Sequence, residues 1–216
     1  MRAVEKLLTI KRLLAHLSRD YAPVAMYQTF CAEDIVLAHL IFSDLVHTEY
    51  KNIHMFAIDT GRTTEDVYRA MESLQKRYGN VLTVYHPDAR ELANFDARHG
   101  FGSDYYRLSS EIRFNRPLNQ ALIGKNAWIS TGFHRYNESE HQNNSVNRDK
   151  AWITWDSKHQ LPCFNPMVRW TQEEILNYAK HHGLTLLSEQ EQIRPSINSV
   201  ANRKEQENLP AAVGLR

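Results

Sequence analysis

The stretch that decides the fold is VAMYQTFCAEDIVL, Val24 to Leu37. Its first half, Val24 to Phe30, has the continuous apolar character of a short buried strand. The second half changes period. Apolar residues at 32, 35, 36, 40 and 41 fall on helical spacing and predict a helix from Ala32 to Val46. Between them lies a strand-to-helix loop, with Glu33 and Asp34 placed where a helix dipole favours acidic residues.

Outward from this unit the pattern repeats. Ile53 to Ile58 reads as a strand entering Asp59-Thr60-Gly61-Arg62, followed by a helix from Thr64 to Tyr78 that Gly79 and Asn80 stop. Val81 to Tyr85 is a third strand, and Asp88 caps a helix reaching His99, broken by Gly100 and Gly102. A helix starting near Pro117 leads to Gly124, and Ala127 to Ser130 forms a fourth strand. After the polar segment 136–150, which reads as a loop, Ala151 to Trp155 resumes a strand. Thr171 caps a helix from Trp170 to His182. The N-terminal residues predict an amphipathic helix with Val4, Leu7, Leu8, Leu14 and Leu17 on its apolar face. Strands alternating with helices imply an α/β class: a doubly wound, mainly parallel sheet with helices on both faces. Residues 1–20 are expected as a separate helix, 21–187 as the domain and 188–216 as an irregular tail.

Composition bounds the function. Lys and Arg number 26 against 25 Asp and Glu, so no global field marks a generic nucleic-acid binder and any phosphate site must be local. Mean hydropathy of −0.55 and the lack of a long uncharged apolar run argue against a membrane span. Cys31 and Cys163 are too few for a disulfide scaffold, so a reducing, cytoplasmic location is expected. The histidines show no HExxH or similar spacing, so no metal site is expected.

In open α/β sheets the ligand crevice lies outside the carboxyl ends of the strands. Thr29, Phe30, Cys31, Ala32, Glu33 and Asp34 form one candidate loop, where a helix N-terminus offers backbone N–H groups to a phosphate. A plain strand-to-helix turn is the alternative. Asp59, Thr60, Gly61 and Arg62 suit ribose hydroxyls and phosphates, or else an aspartate cap beside an exposed arginine. Thr131, Gly132, His134 and Arg135, with Arg148 further on, read as a cationic lid or as a solvated loop. Arg113 and Arg116 complete the set.

These segments together resemble the sulfonucleotide reductases, which reduce adenylyl sulfate or phosphoadenylyl sulfate on an adenine-nucleotide-hydrolase-like fold. TFCAEDIVL (29–37) is similar to the family's SFGAEDMVL loop, FAIDTGR (56–62) to its LDTGR strand end and VYHPDA (84–89) to VYxPDA. RPLNQAL (116–122), AWISTGFHR (127–135), FNPMVRWTQEEI (164–175) and RPSI (194–197) resemble further family stretches in the same order. The resemblance implies a nucleotide-binding domain over 21–187, with the residues around 29–34, 59–62, 131, 132, 134 and 135 and Arg113 lining a sulfonucleotide pocket.

Departures reshape that expectation. Ser109-Ser110 and Ser199-Val200-Ala201-Asn202 stand where the iron-sulfur branch carries cysteines, and hydroxyls or amides do not replace thiolates, so no cluster is expected. The family's C-terminal ECGLH cysteine has no counterpart after Asn202, so the chain is expected not to be a self-sufficient reductase. Cys31 replaces a glycine, which would hinder a positive φ, and its place at a helix N-terminus predicts a depressed pKa and relocated thiol chemistry, with Cys163 as a companion. A small buried residue filling the loop is the alternative. The expected ligand is an adenosine nucleotide of sulfate assimilation. Adenylyl transfer or hydrolysis using ATP with magnesium, and a non-catalytic scaffold, are the competing functions. A homodimer or a thiol-donor protein is the expected partner.

Overall fold

The computed structural model describes residues 3–43, 50–100, 105–131 and 152–187. Its centre is the strand read first, β1 (Val24–Tyr27), followed by helix α2 (Ala32–Phe42), with α1 (Ala3–Asp20) before it. Then come β2 (Ile53–Ile58), α3 (Glu65–Tyr78), β3 (Leu82–Tyr85) and α4 (Ala89–His99). Beyond them lie α5 (Tyr106–Ser110), a π-helical turn (Glu111–Asn115), α6 (Arg116–Leu122) and β4 (Ala127–Ile129). The described chain finishes with β5 (Ile153–Asp156), β6 (Leu161–Phe164) and α7 (Gln172–His181). The strands form one sheet in the order β3-β2-β1-β4-β6-β5, parallel except for the β5–β6 pair.

Side chains alternate across a strand, and at the centre of the sheet, in β1 and β4, both faces are buried. Val24 and Met26, Ile53, Met55 and Ala57, and Ala127 and Ile129 enter one core with α1, α2, α3 and α7. Their neighbours Ala25, Phe56, Ile58 and Trp128 enter the other, against Phe114, Leu118, Ala121 and Leu122. Completely burying one such aliphatic side chain contributes about 1.5–3 kcal/mol, so the apolar residues of β1, β2 and β4 bind helices to both faces. Two caps form as their sequences specify: Asp88 accepts from the Glu91 N–H, and Thr171 and Glu174 make a capping box.

Several expectations need correction. β1 ends at Tyr27 rather than Phe30, because Phe30 turns to φ 65° and leaves the strand. The buried stripe of α1 is Ile10, Leu14 and Leu17; Val4 and Leu8 are 67% and 49% exposed, Leu8 lying one residue off that stripe. α2 ends at Phe42, and residues 44–46, given to the helix from sequence, lie outside the described residues. The helix placed near Pro117 has helical chain before it, because the π turn joins α5 to α6. In that turn the Arg116 N–H reaches Glu111 O, and the register slips just before Pro117, which has no N–H to continue it. β6 had no sequence signal because Pro162 sits within it. Its pairing with β4 begins only at Cys163, so Pro162 costs that ladder nothing. Leu184, Leu186 and Leu187, the end of the segment expected as the domain, pack on the core, and the tail expected over 188–216 lies outside the described residues.

Candidate functional site

Strand order reverses at β1, whose neighbours are β2 on one side and β4 on the other. Doubly wound sheets bind ligands beside such a reversal, outside the carboxyl ends of the two strands, which here are β1 and β4. Asp34 joins the loops that follow these strands. It sits in the first turn of α2, is 1% exposed, and accepts at Oδ2 from the Thr29 N–H (2.9 Å) and the Thr29 hydroxyl (2.5 Å). At Oδ1 it accepts from the Thr131 hydroxyl at 2.6 Å. Burial pushes the Asp34 carboxyl pKa up, against the pull of these hydrogen bonds.

The β1 loop is held in a conformation that a bulky residue seldom adopts. Phe30 is left-handed at φ 65° with its ring buried, a state costing on the order of 1–3 kcal/mol that the surroundings must over-determine. Gln28, 1% exposed, does so: its Oε1 accepts from the Phe30 N–H and its Nε2 donates to Asp34 O. Sequence reasoning passed over Gln28, though a lone amide closing an apolar strand was a visible signal.

Cys31 corrects two expectations. Its φ of −65° is ordinary, so the positive φ belongs to Phe30 and the change from glycine costs no backbone strain. Its thiol is not activated either. Burial first, and then the neighbouring Asp34 charge, push its pKa up to about 12, since a fraction of a helix dipole does not offset desolvation beside a full negative charge. The sulfur lies 3.5 Å from Thr131 Oγ1. Cys163 is 0% exposed in β6, within the other core, and its pKa is also raised by burial.

The β2 loop is closed on itself. Asp59 accepts from the Gly61 N–H (2.9 Å), the Thr63 hydroxyl (2.9 Å) and the Tyr68 hydroxyl (2.7 Å), with His86 at 3.7 Å. Burial alone would raise its pKa, but hydrogen bonds from Tyr68, Gly61 and Thr63 outweigh that and hold it below the usual carboxylate value. Gly61 needs its φ of 72°, and Arg62 is exposed beside it. Arg113, 3% exposed, packs against the loop. It donates to Thr60 O at 3.0 Å and to both oxygens of Asp96 at 2.8 and 3.0 Å, so it supports the loop as a buried prop. Arg116 pairs with Glu91 on the surface.

Ala32 and Glu33 are buried in the first turn of α2. Gly132, His134, Arg135 and Arg148 lie outside the described residues. Among the described residues no group of three or more His, Cys, Asp or Glu could hold a metal ion. Ser109 and Ser110 are buried at the end of α5 and offer hydroxyls, which do not fit an iron-sulfur cluster. None of the described helices is long and apolar enough to cross a membrane.

A model of the phosphoadenosine phosphosulfate reductase domain matches residues 23–191. The chain belongs to that family. Members similar to this reductase-domain chain include adenosine 5'-phosphosulfate reductases. That of Allochromatium vinosum is 26% identical over 190 residues, spanning 86% of this chain and 70% of the relative. That of Burkholderia cepacia is 26% identical over 174 residues, spanning 78% of this chain and 64% of the relative. Among solved structures, phosphoadenylyl-sulfate reductase from Candida auris superposes with a TM-score of 0.65 at 15% identity, covering 82% of this chain and 81% of that one. The NH3-dependent NAD synthetase of Campylobacter jejuni shares the fold at a TM-score of 0.52 and 13% identity, covering 97% and 86%. Both likenesses identify the adenine-nucleotide-hydrolase-like fold of the reductase domain.

Proposed function

We propose that this chain binds an adenosine nucleotide of sulfate assimilation, adenylyl sulfate or phosphoadenylyl sulfate, in the crevice between the β1 and β4 loops. The observation that carries the reading is the Asp34 link, which fixes Thr29 and Thr131 on opposite sides of the strand-order reversal in a chain of the reductase-domain family. Backbone N–H groups at the start of α2 meet the phosphates, Arg62 adds charge at the rim, and Arg113 holds the loop bearing Arg62. No metal takes part unless ATP is the ligand, in which case magnesium accompanies it.

The attacking thiol of a reductase comes from neither cysteine of this sequence. Burial and the Asp34 charge push the Cys31 thiol up, toward its unreactive protonated form, and Cys163 is enclosed in the core. Any reduction therefore draws its thiol from outside these two cysteines, as from a donor protein, and no iron-sulfur cluster assists. Calorimetric titration with adenylyl sulfate, phosphoadenylyl sulfate, ATP and AMP, with and without magnesium, tests the reading. Micromolar binding of a sulfonucleotide is expected. Magnesium-dependent ATP binding alone would move the assignment to adenylyl chemistry, and no binding would leave a scaffold.

A further inference from the structure

The hydroxyl protons at the crevice are already committed. A threonine hydroxyl has one proton to donate. Thr29 gives its own to Asp34 Oδ2 at 2.5 Å, and Thr131 gives its own to Oδ1 at 2.6 Å. With Asp34 ionised, both hydroxyls turn only lone pairs outward, and the Cys31 thiol, 3.5 Å away, is left to donate to Thr131 Oγ1. A phosphate or sulfate arriving here meets a buried negative charge and two hydroxyls that have nothing to give it.

Among the described residues no cation forms an ion pair with Asp34. The titratable groups that sense it are Tyr27 of β1 and Cys31 of the loop, both held neutral by burial, and Glu33 shares the first turn of its helix. Burial already favours the protonated carboxyl, and a second anion nearby favours it further.

We propose that Asp34 takes up a proton from solvent when the anionic end of the nucleotide enters the crevice, freeing the Thr131 hydroxyl to turn from the carboxylate to the ligand. The inference rests on the nucleotide-binding reading and deepens it: Asp34 is a positioning residue that couples the site to pH. The proton leaves the buffer and joins an Asp34 oxygen, and no covalent bond of the ligand changes. Binding then weakens as pH rises, by up to tenfold per pH unit for one proton.

The test is titration of the full chain with adenylyl sulfate, which has no group titrating near neutrality, in two buffers of different ionisation enthalpy at one pH. Heat that varies with the buffer counts protons. Uptake approaching one proton per nucleotide is expected, and Asp34→Asn, of the same shape, should lose the uptake and most of the pH dependence whatever affinity it keeps. Buffer-independent heat in the unmodified protein, or uptake that survives in Asp34→Asn, overturns the inference while leaving nucleotide binding in place. Absence of binding overturns both. The unmodified protein decides by itself, so a poorly folding variant does not shield the proposal.

Discussion

Two aspartates close two strand-end loops, each with three hydrogen bonds, and they are displaced in opposite directions. Asp34 takes its bonds from Thr29 twice and Thr131 once, is 1% exposed, and has a raised pKa. Asp59 takes its bonds from Gly61, Thr63 and Tyr68, is 8% exposed, and has a lowered one. Donor number does not separate them. Desolvation does: it outweighs three hydrogen bonds at Asp34 and is outweighed by three at Asp59, which also has His86 nearby. One loop is thus built around an uneasy charge and the other around a comfortable one.

The largest expected effect follows from connectivity. Asp34→Ala leaves three donors from two loops without a partner and should cost about 3 kcal/mol in urea unfolding. Asp59→Ala removes as many bonds within one half-open loop, where water can replace them, and should cost about 1 kcal/mol. Equal losses would break the comparison.

The pH dependence sharpens it. Asp34 has a folded-state pKa above its ordinary 3.8, so its share of stability is complete below that value and is lost as pH rises through the folded one. Asp59 has a folded-state pKa below 3.8, so its share is present above that value and is lost as pH falls through the folded one. Asp34→Asn and Asp59→Asn should therefore change the slope of urea midpoint against pH with opposite signs. Slopes that change in the same direction would show that hydrogen bonding, not burial, governs Asp34.

Much of this was legible in the sequence. The alternation of strands and helices, the caps at Asp88 and Thr171 and the β1-loop-α2 unit depend on local period and local hydrogen bonds, which a sequence displays. The family segments placed the loops as well. What stayed hidden depends on contacts distant in sequence. Arg113 reads as a free cation until Thr60 O and Asp96 are brought to it, and Cys31 reads as an activated thiol until burial and Asp34 surround it. Pro162 disguised β6 because its harmlessness depends on where the β4 pairing begins.

A smaller effect isolates the frame of the β2 loop. Gly61→Ala forces a side chain to φ 72° and sets its Cβ 3.4 Å from Arg113 Nη1. Loss of about 1 kcal/mol is expected from the backbone alone, read as a lower urea midpoint. No comparable substitution exists in the β1 loop, where Phe30 already holds the left-handed position.

The smallest effect on stability separates presenting a charge from holding a loop. Arg62 and Arg113 serve the same four-residue turn, one from solvent and the other packed against it at 3% exposure. Arg113→Ala leaves Asp96 without its bidentate partner and Thr60 O without its donor, a loss that unfolding should report. Arg62→Gln touches nothing buried and should shift stability by less than about 0.5 kcal/mol. If the turn faces the nucleotide, Arg62→Gln should still weaken sulfonucleotide binding several-fold at low salt and hardly at all at high salt, because an exposed charge acts through a screened field. Unchanged binding at low salt would make the Asp59 turn pure framework, and would leave recognition to the crevice that Asp34 holds together.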